Sequence, residues 1–401
     1  MIQRYRSALA ALLLTPLVAF AFDAAPQPGL VQRIAFGSCN SPLDDTPIWE
    51  AINQSAPDVW LWLGDTIYAD SPRPKGDTPE VRAREVLDRM REHYALQNAL
   101  PGYATLHARA RVLGIWDDHD YGLNDVGADF IGREEAQRHF HDFYGEPADS
   151  PRRARPGIYS SHRFGPPGRT VQLILLDTRY FRSPLQRGDF PRPDWVEGRP
   201  GTYVPSEDPA ATLLGDEQWR WLETCLRQPA DLRIIATSIQ IVADDHRFEK
   251  WGNFPRERRR LFELIRQTRA EGVVILSGDR HAGELSLLDP AREPDGAGID
   301  PGYPLHELTS SAMTKSAPTS IEALQKRRNP RPVFFGQELN RHRLGTRLPY
   351  NHFGLLEIDW AAPDGAVITL SLRLDDGTEV LRHRVPLATL RPTVPKSGSN
   401  Q

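Results

Sequence analysis

Six times in this chain a run of apolar residues about one strand long stops abruptly at polar or charged residues, and helical patterns tend to lie between the runs. Residues 34–36 lead into Gly37-Ser38-Cys39-Asn40, residues 59–63 into Gly64-Asp65-Thr66-Ile67-Tyr68, and residues 112–116 into Asp117-Asp118-His119-Asp120. Residues 171–176 lead into Asp177-Thr178-Arg179, residues 232–236 into Thr237-Ser238-Ile239-Gln240, and residues 273–276 into Ser277-Gly278-Asp279-Arg280-His281. Strands apolar on both faces need cover on both sides, which predicts an α/β fold with parallel or mixed sheets and ligands outside the strand carboxyl ends. The six polar tips are therefore candidates for one shared site.

Helix starts are readable at Thr46 with Pro47, Thr78 with Pro79, Asp216, and Pro255. Residues 182–212 form a long Pro/Gly/Arg-rich loop, and residues 312–349 an irregular basic stretch. Three alternating runs, 355–360, 367–374 and 379–385, are separated by Pro363-Asp364-Gly365 and Asp375-Asp376-Gly377. They predict an antiparallel meander whose apolar face packs on the main core as part of the same domain. A hydrophobic share of 39% with 25% charged residues excludes disorder throughout, and a net charge of −4 argues against a stable nucleic-acid partner.

Arg4 and Arg6 precede an apolar run over residues 7–21 that closes in Ala19-Phe20-Ala21, the small-x-small pattern that signal peptidase accepts. The run is interrupted by Pro16 and falls short of the ~20 residues that span a bilayer. It reads as a signal peptide (1–21) of an exported protein, periplasmic or extracellular, with no transmembrane segment after cleavage. A single catalytic domain (22–392) and a flexible tail (393–401) follow, and a monomer is the default state. Cys39 and Cys225 are the one possible disulfide pair. Cys225 shares a helical stripe with Trp219, Leu222 and Leu226 and reads as an inert core thiol.

The strand tips collect Cys39, Asp65, Tyr68, Asp117, Asp118, His119, Asn124, Asp279 and His281, which is a metal inventory. Thiolate and phenolate suit a transition metal such as ferric iron, and carboxylate and amide oxygens suit calcium, magnesium or manganese. A buried Asp-Asp-His-Asp run after Trp116 would repel itself and be costly to desolvate unless a cation lay among the carboxylates.

The ordered series GSCN at 37, GDTIYAD at 64, WDDHDYGLND at 116, LDTRYFR at 176 and SGDRHAGEL at 277 resembles the alkaline phosphatase D (PhoD-like) branch of the metallophosphatases. The resemblance implies a four-layer sandwich of two packed mixed β-sheets flanked by helices, with the metals at one sheet edge. It departs from some relatives in having no room for an extra β-sandwich before the catalytic domain. Relatives hold ferric iron together with calcium. Carried over by motif, Cys39, Asp65 and Tyr68 would be iron ligands, Asp65 bridging, and Asp118, Asn124, Asp279 and His281 would hold calcium or another divalent ion. Asp118 ranks above Asp117 because it directly precedes His119. Gln240 stands where the wider superfamily often has a metal-binding His.

The chemistry this implies is attack of a metal-activated hydroxide on the phosphorus of a small phosphate ester, monoester or diester. His119 would protonate the leaving alkoxide or hold the phosphoryl group, with Asp120 orienting its ring. Arg280, between two proposed ligands, is the first candidate to stabilise developing charge, followed by Arg179, for which an ion pair with Asp177 is the structural alternative. A phosphodiesterase of phospholipase D or nuclease type is the alternative enzyme, and a non-catalytic exported metal-binding protein the alternative class.

Overall fold

The computed structural model of the chain describes residues 29–44, 47–189, 201–293, 299–316 and 338–392. The signal and tail assignments, and Lys326, Arg327, Arg328 and Arg331 of the basic stretch, lie outside the described residues. The first half contains β1 (Arg33–Gly37), α1 (Ile48–Gln54), β2 (Val59–Leu63), α2 (Pro79–Ala99), α3 (Pro101–His107), β3 (Arg111–Ile115), α4 (Asp118–Tyr121), α5 (Arg133–Phe143), α6 (Pro151–Ala154), β4 (Ser160–Phe164) and β5 (Val171–Leu175). The second half contains α7 (Gly215–Leu226), β6 (Leu232–Thr237), α8 (Pro255–Thr268), β7 (Val273–Ser277), β8 (Gly283–Leu288), β9 (Leu305–Ser310), β10 (Arg343–Leu348), β11 (His352–Asp359), β12 (Val367–Leu374) and β13 (Glu379–Pro386).

The strands assemble into two mixed sheets, β13-β12-β11-β1-β2-β3 and β10-β8-β9-β7-β6-β5-β4. In the first, β1, β2 and β3 run parallel, and β11 joins antiparallel to β1 with Phe36 opposite Gly354. In the second, β5, β6, β7 and β9 run parallel. The meander is antiparallel, as its alternation predicted, and forms half of the first sheet, and among the described residues one hydrophobic cluster runs through both sheets.

Side chains alternate across β2. Trp60 and Trp62 share the face that meets Trp49 of α1, with edge-on ring contacts at 5.6 Å. Of the predicted helix starts, Pro47 precedes α1, Pro79 and Pro255 open α2 and α8, and Asp216 stands in the first turn of α7, while Thr46 lies outside the described residues. Thr78 caps α2 by accepting from the Val81 amide, with Pro79 in the first turn, where the missing N–H costs nothing. Cys39 and Cys225 are both buried and unpaired. Among the described residues no helix is long and apolar enough to cross a membrane.

Candidate metal centre

Because three parallel strands of the first sheet and four of the second end on a common edge, their tips meet. Gly64 and Gly278 permit the approach. A Cβ on Gly64, at φ +90°, would lie 2.5 Å from Asp117 Cβ, and one on Gly278 would lie 2.6 Å from the Leu63 carbonyl oxygen. Beyond the strand ends Cys39, Asp65, Asp279 and His281 each adopt positive φ, between 49° and 68°. Left-handed backbone in non-glycine residues is unfavourable, and four such residues at one edge mark it as a site where packing enforces strain.

One side of the site carries the softer donors. Cys39 Sγ is 3.4 Å from Asp65 Oδ2 and 3.1 Å from Ser311 Oγ. Tyr68 donates its hydroxyl to Asp65 Oδ2 at 3.2 Å and lies 3.4 Å from His281 Nε2. On the other side, Asp117, Asp118 and Asp279 offer carboxylate oxygens within 4.8 Å of one another, and oxygens of Asp65 and Asp118 lie within the same distance of each other and of a His119 ring nitrogen. Asp118 and Asp65 thus join the two groups. His281 stands with the thiol and phenol rather than with the oxygen donors, because its Nδ1 is held by the Lys315 carbonyl and this turns Nε2 toward Tyr68. Asn124 is exposed, and its backbone N–H donates to Asp70 Oδ2 at 3.0 Å.

Burial and mutual repulsion set the electrostatics of the cluster. Burial, reinforced by the Asp118 charge, pushes Asp65 well above the usual carboxylate range. Burial does the same to Asp117 despite Arg179, and carries Asp279 up to about 8. Cys39 and Tyr68 are raised by burial and by Asp65. Burial also works against Asp118, but His119 and Arg179 outweigh it and draw that carboxyl down to about 2. Asp117 Oδ2 is buried with no hydrogen-bond partner. An orphaned carboxylate oxygen among mutually repelling buried acids is the environment a polyvalent cation would reverse, so these residues fit a metal centre. Cys39, Asp65, Tyr68 and His281 would hold the softer ion, and Asp117, Asp118 and Asp279 the harder one.

The surrounding charges differ from expectation in three places. His119 is oriented by Asp70, whose Oδ1 lies 2.6 Å from Nδ1, and not by Asp120. Asp120 instead accepts from the amides of Asp65, Thr66 and Asp117 at 3.1, 3.1 and 2.6 Å, so it ties the tips of β2 and β3 together. Arg280 is spent on Glu338, with one nitrogen 2.8 and 2.9 Å from the two carboxylate oxygens, and stacks over Phe248. Arg179 pairs with Asp117 and Glu249 at 2.6 and 2.7 Å, and Asp177 receives its backbone N–H only. Gln240 gives its amide N–H groups to Glu284 and Thr309 and lies 3.0 Å from His246 through its oxygen, so it serves a buried network.

His119 is also stacked on Tyr68, ring centroids 4.2 Å apart. Burial disfavours its charge, but Asp118 and Asp70 prevail and lift the imidazole to about 10. Asp70 and Ser311 are the residues that motif reading missed. Asp70 stood inside GDTIYAD, yet its partner is 49 positions away. Ser311 follows β9, whose His306 and Glu307 interrupt any apolar run.

A family model described as PhoD-like phosphatase matches residues 34–363. Alkaline phosphatase D of Bacillus subtilis (strain 168) is 25% identical over 257 residues, which is 58% of this chain and 42% of that protein. The chain therefore matches less than half the length of this relative. The solved structure entitled "Structure of PhoD" superposes with a TM-score of 0.60 at 20% identity, over 93% of this chain and 74% of that one, and it shares the fold.

Proposed function

This chain belongs to the PhoD-like phosphatase family, and from that premise we propose that it is a metal-dependent phosphoesterase acting on small phosphate esters. The carrying observation is the convergence of Asp65, Asp117, Asp118 and Asp279 with Cys39, Tyr68 and His281 on one edge, with Asp117 Oδ2 left unpartnered. The name of the Bacillus subtilis relative supports an ester of phosphoric acid as substrate. Thiolate and phenolate favour ferric iron in the softer position, and the carboxylates favour calcium in the harder one. When bound, such ions supply an activated water and charge neutralisation for the phosphoryl oxygens.

The protein's own contribution is orientation and proton handling. Asp120 fixes the two loops that carry Asp65 and Asp117. Asp70 holds Nδ1 of His119, and Tyr68 covers one face of the ring, which leaves Nε2 to give a proton to the departing oxygen. Arg179 and Arg280 shape the site through their pairs with Asp117, Glu249 and Glu338. The basic, apolar residues 4–21 support export.

Elemental analysis of the purified protein, combined with turnover of 4-nitrophenyl phosphate and bis(4-nitrophenyl) phosphate, tests the reading. Stoichiometric metal with hydrolysis of at least one ester is expected. Metal without hydrolysis of either would leave a binding protein, and hydrolysis after verified loss of all metal would remove the metal from the chemistry.

A further inference from the structure

Among the described basic residues of the stretch over residues 312–349, the three arginines are engaged in internal pairing. Of its described members, Arg341 bonds Asp244 and Asp245, Arg343 bonds Glu284, and Arg347 donates to the Arg280 carbonyl. Lys315 is placed differently. Its backbone is pinned to the site on both sides, its N–H donating to the Cys39 carbonyl at 3.1 Å and its own carbonyl holding His281 Nδ1. Its ammonium lies 5.6 Å from the centre of the Tyr68 ring, the same ring that stacks on His119 and bonds Asp65.

The partner of that ammonium is Asp44, and the pair is open to water, with side chains 34% and 40% exposed. Ion pairs this exposed contribute little, because the gain is screened and two side chains must be held still. Arg179 and Arg280 contrast with this, since both are buried in carboxylate pairs. The site thus carries a cation at its solvent side whose present partner is cheaply exchanged.

We propose that Lys315 is a specificity residue that leaves Asp44 to bind a non-bridging phosphoryl oxygen, and so favours dianionic phosphate monoesters over monoanionic diesters. The inference rests on the phosphoesterase reading and names the substrate class for that site. Asp44 acts as the competitor that parks the ammonium when no phosphate is present.

The test uses the metal-loaded protein and three forms, wild type, Lys315→Gln and Asp44→Asn, with metal content checked in each. Inorganic phosphate binding is measured by calorimetry at low salt, and kcat/KM is measured on 4-nitrophenyl phosphate and bis(4-nitrophenyl) phosphate. Lys315→Gln should weaken phosphate binding and monoester kcat/KM by about tenfold, the effect of losing one charge-assisted hydrogen bond, and should change the diester by less than about threefold. Asp44→Asn should act in the opposite direction, tightening phosphate by roughly two- to threefold, since an exposed pair of this kind holds the ammonium only weakly. Equal losses on both esters, or unchanged phosphate affinity in Lys315→Gln, overturn the proposal. If wild type hydrolyses neither ester, the phosphoesterase reading falls, and the phosphate titration still decides whether Lys315 is the anion-binding residue.

Discussion

Asp70→Asn probes the role of His119 by changing a single atom. In the native site Asp70 Oδ1 lies 2.6 Å from His119 Nδ1 while Oδ2 accepts from the Asn124 amide at 3.0 Å. An amide in the same place offers one acceptor and one donor. If its oxygen keeps the Asn124 bond, its NH2 group faces Nδ1, and the ring must turn that nitrogen into an acceptor. The negative charge that supported the imidazolium is lost as well. A hydrogen bond to a charged group is worth about 1.5–3 kcal/mol, which converts to roughly 10- to 150-fold in rate at about 1.4 kcal/mol per decade. The ceiling is the whole general-acid contribution, roughly 10²–10⁴-fold. Asp70→Asn should therefore lower kcat on an alkyl phosphate by about 10- to 150-fold with little change in KM, because the interaction matters most as the leaving oxygen departs. The defect should be smaller on 4-nitrophenyl phosphate, whose leaving group needs little protonation. Steady-state kinetics on both esters, with metal content measured in parallel, decides the matter. An equal defect on the two esters, or an unchanged kcat on the alkyl ester, would refute the assignment.

Acid should destabilise the fold through His141, which burial, aided by Arg152, drives down to about 4 and whose ring nitrogens have no hydrogen-bond partner. The folded value lies below the unfolded value of about 6.5, so this contribution is complete above about pH 6.5 and is lost as pH falls toward 4, by at most about 3 kcal/mol. His141→Leu should flatten the decline in urea-unfolding free energy between about pH 7 and 5. An unaltered slope would count against the argument. Gly354→Ala should cost about 1–3 kcal/mol in the same assay, since the new Cβ would lie 2.2 Å from the buried Phe36 ring across the β1–β11 pair. Chelation should lower the melting temperature by several degrees and metal should restore it, because binding at about 100-fold above Kd stabilises by about 2.7 kcal/mol. A melting curve indifferent to verified metal loss would dismiss the cluster as a metal centre.

Much of the architecture was legible because burial on both faces leaves a plain signature. β1, β2, β3, β5, β6 and β7 all fall on the apolar runs, and the meander falls on its alternation. β4, β8, β9 and β10 escaped detection because polar side chains interrupt them, and in β8, β9 and β10 those side chains find partners elsewhere in the fold. Glu307 of β9 is fully buried yet accepts from the Ile241 and Val242 amides at 2.8 and 2.7 Å. Glu284 of β8 is satisfied by Gln240 and Arg343. A hydrophobicity pattern cannot register a strand whose interior is held by hydrogen bonds, because the compensating group lies tens of residues away.

The same reasoning separates what could be read of the site from what could not. Residue type and position after a strand were enough to nominate Cys39, Asp65, Asp118 and Asp279, since parallel strands deliver their carboxyl ends to one edge. They were not enough to assign partners. Asp117 and Asp118 are adjacent, yet one is held by Arg179 and Ser238 at 2.6 Å each, while the other accepts from the Asp125 amide at 2.8 Å and faces His119. Asp120, two positions further, leaves the cluster to brace the loops. Three carboxylates within four residues thus point at different elements, because Asp117 is the extended cap before the short helix that follows β3, while Asp118 and Asp120 lie inside that helix about 200° apart. Composition supplies the charges of such a site. The turn that follows the strand decides which of them face the candidate metal centre and which turn back to brace the backbone.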